Sequence, residues 1–182
     1  MSAMLPSTRP QNPTSLSQDR TQYLTFHLGG EVYALEIRHI REIIQFDTVT
    51  EVPLMPGFIR GIINLRGAVV PVIDLSVRFG KAPTQVARRT CNVIVEAGDD
   101  RAHAILGIMV DHVSEVLEID PADIEPAPAF GSSLRSEFIK GVGKVQGHFV
   151  IILDVHHVLS IEEMSAVIGR SQDLERSADS GE

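Results

Sequence analysis

The chain states one phrase twice. FIRGIINLRGAVVPVIDL occupies residues 58 to 75 and FIKGVGKVQGHFVIILDV occupies residues 138 to 155, an offset of 80. Phe58, Ile59, Gly61, Gly67, Val70 and Asp74 are identical to their counterparts, and most other positions exchange one aliphatic residue for another. The match extends upstream, where YALEIRHIREII (33 to 44) aligns with LGIMVDHVSEVL (106 to 117) at an offset of 73, with apolar positions, a His and a Glu coinciding. A fold that accepts this chain must therefore contain one supersecondary unit twice. The second copy carries seven extra residues within IDPADIEPAPAFGSSLRSEF, where Pro121, Pro126 and Pro128 favour an extended connection.

The unit itself is a β structure. YLTFHL and EVYALEI alternate with period 2 about Gly29-Gly30, which predicts a β-hairpin, and NVIVEAGDDRAHAILGIMV repeats it with Gly98-Asp99-Asp100 near the turn. Each quoted phrase reads as a helical turn, a strand, a two-residue turn and a second strand. Gly67 and Gly147 supply the positive φ that such turns demand. About five short strands per copy argue for small closed barrels, which leave few exposed edges. The expected fold class is all-β, with two five-stranded β-barrel subdomains, the first spanning about 21–85 and the second about 90–158. Pro71 donates no ladder hydrogen bond, so its strand is expected at an edge or bulge, whereas its counterpart Ile151 pairs normally. Ser160 and Glu163 have capping-box spacing, Leu159 and Met164 suit a hydrophobic staple, and Gly169 suits a terminator, so a short C-terminal helix is expected over about 160–168. Residues 1–20 and 169–182 read as flexible tails.

Composition narrows the function. With 182 residues, of which 43% are hydrophobic and 22% charged, the chain supports an ordinary soluble core. Cys91 is the only cysteine, which leaves no intramolecular disulfide and no Cys-based zinc site and suits a reducing cytoplasm. The N terminus lacks a signal-peptide pattern, and no apolar run reaches the length of a membrane span. Net charge is −8 and no stretch gathers Lys and Arg, so nucleic acid is not an expected ligand.

Catalytic signals are thin. Asp154, His156 and His157 stand together, and two His with a carboxylate can bind a metal. On a strand, however, neighbouring side chains point to opposite faces, and Asp74 matches Asp154 with no His following, which favours a structural turn role. No nucleophile elbow, Walker loop or dinucleotide loop is present. No metal or other cofactor is expected. Residues shared by both copies are explained by the fold, and residues unique to one copy need another reason. Arg60 matches Lys140 and Glu42 matches Glu115, whereas Arg66 faces the neutral Gln146. A hairpin tip that tolerates any polar residue remains the alternative explanation for Arg66.

The phrase FIRGIINLRGAVVPVIDL, with YALEIRHIREII before it and GIMVDHVSEVL and PAPAF after it, resembles the CheW family of chemotaxis coupling proteins. The resemblance covers about residues 21–168. The same domain also forms the regulatory module of the chemotaxis histidine kinase and part of CheV, but no kinase or receiver sequence accompanies it here. The resemblance implies two SH3-like barrels and a non-enzymatic cytoplasmic adaptor, recruited to membrane receptor arrays through its partners. Those partners would be the cytoplasmic tip of chemoreceptors and the regulatory domain of the histidine kinase CheA. By motif position it implies receptor binding at Ile40, Glu42, Arg66, Val113 and Val116, and kinase binding at Arg60, Gly61 and Phe130. A related scaffold in a chemosensory-like pathway controlling surface behaviour or second messengers would use the same fold, and a metal-dependent enzyme is the further alternative.

Overall fold

The computed structural model describes residues 20–99, 102–127 and 136–160. Phe130 and the C-terminal helix expected over 160–168 fall outside those residues, apart from Ser160, as do nearly all of both expected tails. Eleven strands run in chain order: β1 (Thr21–Leu28), β2 (Glu31–Glu36), β3 (Ile40–Gln45), β4 (Ile59–Leu65), β5 (Ala68–Asp74), β6 (Cys91–Asp99), β7 (Ala102–Val110), β8 (His112–Ile119), β9 (Ile124–Glu125), β10 (Ile139–Val145) and β11 (His148–Leu153). One helical turn, α1 (Leu75–Arg78), follows β5, and another, α2 (Val155–Val158), follows β11.

The two copies are built alike. One sheet has the order β3-β6-β7-β5-β4, and the other has β8-β1-β2-β11-β10-β9, which is the same order once repeat equivalents are exchanged. Each sheet closes in the same way. The chain beyond β3 reaches Thr50, which bridges to Ile62 of β4, while the chain beyond β8 continues through Pro121–Asp123 into β9, which pairs with β10. These pairings bring the chain round from one end of each sheet to the other, as expected for small barrels.

The division of the chain differs from the expected one. All five strands of the first sheet lie within residues 40–110, whereas the second combines the N-terminal hairpin β1-β2 with β8 to β11. One barrel is thus inserted into the other, and the expected boundary between 85 and 90 falls inside the inner barrel. The chain crosses between the sheets at Ile37–His39, a single 3-10 turn, and at Asp111. Both crossings leave the flanking strands no length to pair with their own half of the sequence.

This arrangement explains the burial of the hairpins. Leu24, Phe26, Leu28, Tyr33 and Leu35 join Val93, Val95, Ala97, Leu106, Ile108 and Val110 in one core that contains residues of both sheets. Tyr23 and Ala34, on the opposite face of the same hairpin, enter a second core with Ile119, Val150 and Ile152. A strand buried on both faces does not keep its apolar-polar alternation in exposure. Thr25, which looked like a solvent-facing partner of the alternation, is buried, and its hydroxyl donates to the Glu115 carbonyl at 2.9 Å. Buried Glu36, at the end of β2, pairs with Lys140 of β10 and with Arg38. Burial alone would raise its pKa, but the Lys140 hydrogen bond and the nearby cations hold it below the usual glutamate value.

Pro71 is not on an edge strand, because β5 lies between β7 and β4. It escapes the ladder by position instead. The parallel pairing of β5 with β7 begins only at Val72 opposite Gly107, whereas in the other barrel it begins at Ile151 opposite Tyr33. Pro71 stands where the second barrel places Ile151, so the missing N–H removes one rung and the ladder starts a residue later.

Candidate partner-binding site

The tips of the β4-β5 and β10-β11 hairpins share one geometry. Arg66 has φ 51° and Gln146 has φ 49°, followed by Gly67 at 86° and Gly147 at 80°. Two successive positive φ values match the right-handed twist of the flanking strands. The Asn64 side-chain oxygen accepts the Gly67 N–H at 2.8 Å and fixes the turn. A left-handed arginine or glutamine is uncommon. Both barrels keep such a residue, so the turn follows from the scaffold and the side chain displayed on it is free to differ.

In the inner barrel the displayed side chain has a partner. The Arg66 guanidinium donates to both Glu42 carboxylate oxygens, at 2.8 Å each. Glu42 reaches that position because the register of β3 against β6 shifts between Ile40 and Glu42, a bulge that turns the strand locally. Hydrogen bonding to Arg66 outweighs the small opposing effect of burial and holds the Glu42 carboxyl below the usual glutamate range, and the same bond pushes Arg66 up. Arg66 itself is largely exposed, with 77% of its side-chain surface accessible. Such an exposed, solvent-screened pair adds little to folding. Its geometry is therefore better suited to presenting a fixed charge pattern than to holding the barrel together.

A concavity lies beside this pair, lined by Arg41, Leu65, Ala68, Val70 and Ile105 as well as Glu42 and Arg66. Its wall is charged and its floor is mostly apolar. Sequence reading missed Arg41 and Ile105, because Ile105 comes from β7, whose place beside β5 depends on a parallel pairing that no local signal announces. Arg41 is held by Glu96 of β6 at 2.9 Å.

The other residues implied for receptor binding are distributed between the sheets. Ile40 on β3 and Val113 on β8 are half-buried and pack against the shared core, and Val113 sits opposite Phe26. Val116 on β8 is exposed, as is its repeat equivalent Ile43 on β3. The hairpins repeat that pattern, since Val69 and its equivalent Phe149 are both exposed. The structure ties Glu42 to Arg66 directly. It relates Ile40 and Val113 through the core that they share.

Of the residues implied for kinase binding, Arg60 lies 3.6 Å from buried Asp74 and is one-third exposed. Gly61 is buried. It does not end a helical turn but lies within β4, at a bulge where the strand passes under Thr50, and a Cβ there would stand 2.4 Å from the Thr50 carbonyl oxygen. Gly141 meets Ile124 and Glu125 of β9 in the same way. Both glycines thus serve barrel closure. Gly61→Ala is expected to cost about 2 kcal/mol in urea unfolding, because backbone must move and φ is +154°.

Asp74 and Asp154 are N-caps, not ligands. Asp74 accepts the Ser76 N–H at 3.0 Å, and Asp154 accepts the N–H groups of His156 and His157 at 3.0 and 3.3 Å. His156 and His157 stand in the helical turn α2, not on a strand as expected, and His157 Nδ1 lies 3.0 Å from Asp154. Partial burial works against the charged Asp154, but the His157 side chain and the two backbone donors hold its pKa below the usual aspartate value. Among the described residues no group of three or more His, Cys, Asp or Glu is placed to hold a metal ion.

Comparison with known proteins decides the class. A CheW-like domain model matches residues 22–163. The chain belongs to the CheW family. Chemotaxis protein CheW of Klebsiella aerogenes is 37% identical over 146 residues, covering 80% of this chain and 86% of that protein. Probable chemotaxis protein CheW of Rhizobium etli is 32% identical, covering 84% and 96% respectively. The crystal structure of the scaffolding protein TtCheW from Thermoanaerobacter tengcongensis superposes with a TM-score of 0.69 at 35% identity, over 76% of this chain and 92% of that one. As a CheW protein the chain is a scaffold of the chemotaxis class, with the mostly-β, two-sheet architecture described above. No helix among the described residues is long and apolar enough to cross a membrane.

Proposed function

We propose that this CheW protein couples chemoreceptors to the histidine kinase CheA without catalysis of its own. The receptor tip would engage the surface around Glu42 and Arg66, with Ile40, Val113 and Val116 supplying apolar contact to a helix face. The kinase regulatory domain would engage a different surface, near Arg60. Phe130 and the backbone at Gly61 are assigned to the same contact. Two similar barrels whose displayed residues have diverged suit a bridge between two unlike partners.

The observation that carries this reading is the bidentate Arg66–Glu42 pair at 2.8 Å on an exposed hairpin whose repeat equivalent is neutral Gln146. A fixed, exposed charge pair that adds little to stability is suited to orienting a partner. Arg66→Ala is expected to leave the thermal midpoint within about 2 °C of wild type, as the small contribution of an exposed, screened pair implies. The same change should weaken binding to a receptor cytoplasmic tip at least about tenfold, the size of one lost charged contact. Calorimetric binding and a melting curve on the same preparation separate the two effects. A large drop in the midpoint with unaltered binding would make Arg66 a structural residue and overturn the assignment.

A further inference from the structure

The connection from α1 to β6, residues 79–90, carries a second surface feature unrelated to the Arg66 hairpin. Together with the β1-β2 turn and the crossover at residue 111 it forms a groove whose lining includes Gly29, Lys81, Pro83, Arg88, Arg89 and His112. Arg88 and Arg89 sit at the corner of a turn closed by the Thr90 N–H donating to the Ala87 carbonyl at 3.2 Å, with the Thr90 hydroxyl accepting from the Ala87 N–H at 2.8 Å. The turn projects two adjacent guanidinium groups from a rigid corner.

The charges there are not balanced locally. Arg38, Arg41, Arg60 and Arg66 each lie in an ion pair, whereas Arg88 and Arg89 form none among the described residues. The carboxylates at hand are already engaged. Asp111 accepts the Gly29 N–H at 2.8 Å, and Glu31 lies 3.4 Å from Lys81 Nζ. His112 stacks on His27 with ring centroids 4.3 Å apart; burial, His27 and Arg89 depress its basicity, with Asp111 opposing them. In a chain of net charge −8, Arg88 and Arg89 are thus two cations on one groove with no ion pair among the described residues, beside the Lys81–Glu31 pair and Asp111, which also lines it. At physiological salt the field of the remaining molecule is screened beyond about 8 Å, so a short acidic segment lying in the groove would feel mainly those cations.

The sequence contains such a segment. Residues 170–182 carry Asp173, Glu175, Asp179 and Glu182 against Arg170 and Arg176. The described chain leads toward them from α2, whose Val158 carbonyl accepts the Arg78 Nε–H of α1 at 3.1 Å. Lys81, which begins the groove wall, is fixed to the same helical turn by its N–H bond to the Ser76 carbonyl at 2.8 Å. The nine intervening residues, 161–169, span at most roughly 30 Å when extended.

We propose that this groove is the docking site of the chain's own acidic segment 170–182, held by Lys81, Arg88 and Arg89. The test uses the full-length protein and a full-length variant carrying Asp173→Asn, Glu175→Gln, Asp179→Asn and Glu182→Gln. Backbone amide resonances of Lys81, Arg88, Arg89 and Thr90 should differ between the two proteins while those of β4 and β10 do not. A synthetic peptide of residues 170–182 should shift the same amides in the neutralised variant but not in wild type, where the tethered segment outcompetes it. Adding Arg88→Ser and Arg89→Ser to that variant should weaken the peptide at least tenfold. Identical groove resonances in wild type and variant would overturn the proposal. Equal binding of the peptide to both proteins would also overturn it, showing a groove open to acidic partners in trans, and so would binding that survives loss of both arginines.

Discussion

Cut between residues 85 and 90, the chain is expected to give fragments 21–85 and 90–158 that are each unfolded alone. The repeat suggests the opposite, since each fragment holds one full copy of the unit. The ladders explain the difference. In fragment 21–85 the hairpin β1-β2 has lost β8 and β11, and strands β3 and β5 have lost β6 and β7. Uncovering Leu24, Phe26, Leu28, Tyr33 and Leu35, each normally 4% exposed or less, forfeits about 2 kcal/mol apiece. That sum rivals the whole stability of about 5–15 kcal/mol expected for a chain of this size. Circular dichroism and urea titration should show no cooperative transition for either fragment, and recovery of strand signal on mixing. A cooperative transition in one isolated fragment would mean that its own hairpin folds back into its own barrel.

Replacing Asp74 should be far more damaging than replacing its repeat equivalent. Asp74 is 1% exposed and accepts from the Ser76 N–H, the Thr84 N–H at 2.8 Å and the Thr84 hydroxyl at 2.7 Å. Arg60 stands 3.6 Å away. Asp74→Ala strands buried donors of both α1 and the connection to β6 and leaves Arg60 without its counter-charge, at a cost of about 3–5 kcal/mol. Among the described residues Asp154 holds no such second connection. It caps α2 and meets His157, and Asp154→Ala should cost only about 1 kcal/mol, as lost N-caps usually do. Urea midpoints of the two variants measure the contrast, and equal losses would show that Thr84 does not depend on Asp74.

Particular residues show what the sequence discloses and what it hides. The two-residue turns at Arg66-Gly67 and Gln146-Gly147 are legible because only a few residue types accept positive φ, and the repeat announces the turn twice. Arg66 is legible once the copies are compared, because a scaffold position has no reason to carry a charge in one copy only, whereas Glu42, matched by Glu115, enters through the resemblance. The insertion of one barrel into the other is not legible. Period-2 alternation says which face of a strand is buried, but it is silent on the strand beside it, and the parallel pairings β5 with β7 and β2 with β11 join segments more than 30 residues apart. His156 and His157 mislead for a local reason: an Asp after a strand-like run reads equally as a continuation of the strand or as an N-cap, and here Asp154 follows the last residue of β11 and caps α2. Gly61 shows the cost of assigning a glycine by resemblance alone, since the Thr50 backbone above it needs the absent side chain whatever partner lies nearby.

The assignment of two separate contact surfaces makes one demand that neither fold nor family meets by itself: both partners must bind at once. Sedimentation of the full-length protein with a receptor cytoplasmic tip and a CheA regulatory domain tests this directly. A ternary boundary is expected, with Arg66→Ala removing only the receptor and an Arg60→Ala variant that retains its fold removing only the kinase domain. Mutually exclusive binding, in which added receptor tip displaces the kinase domain, would contradict it.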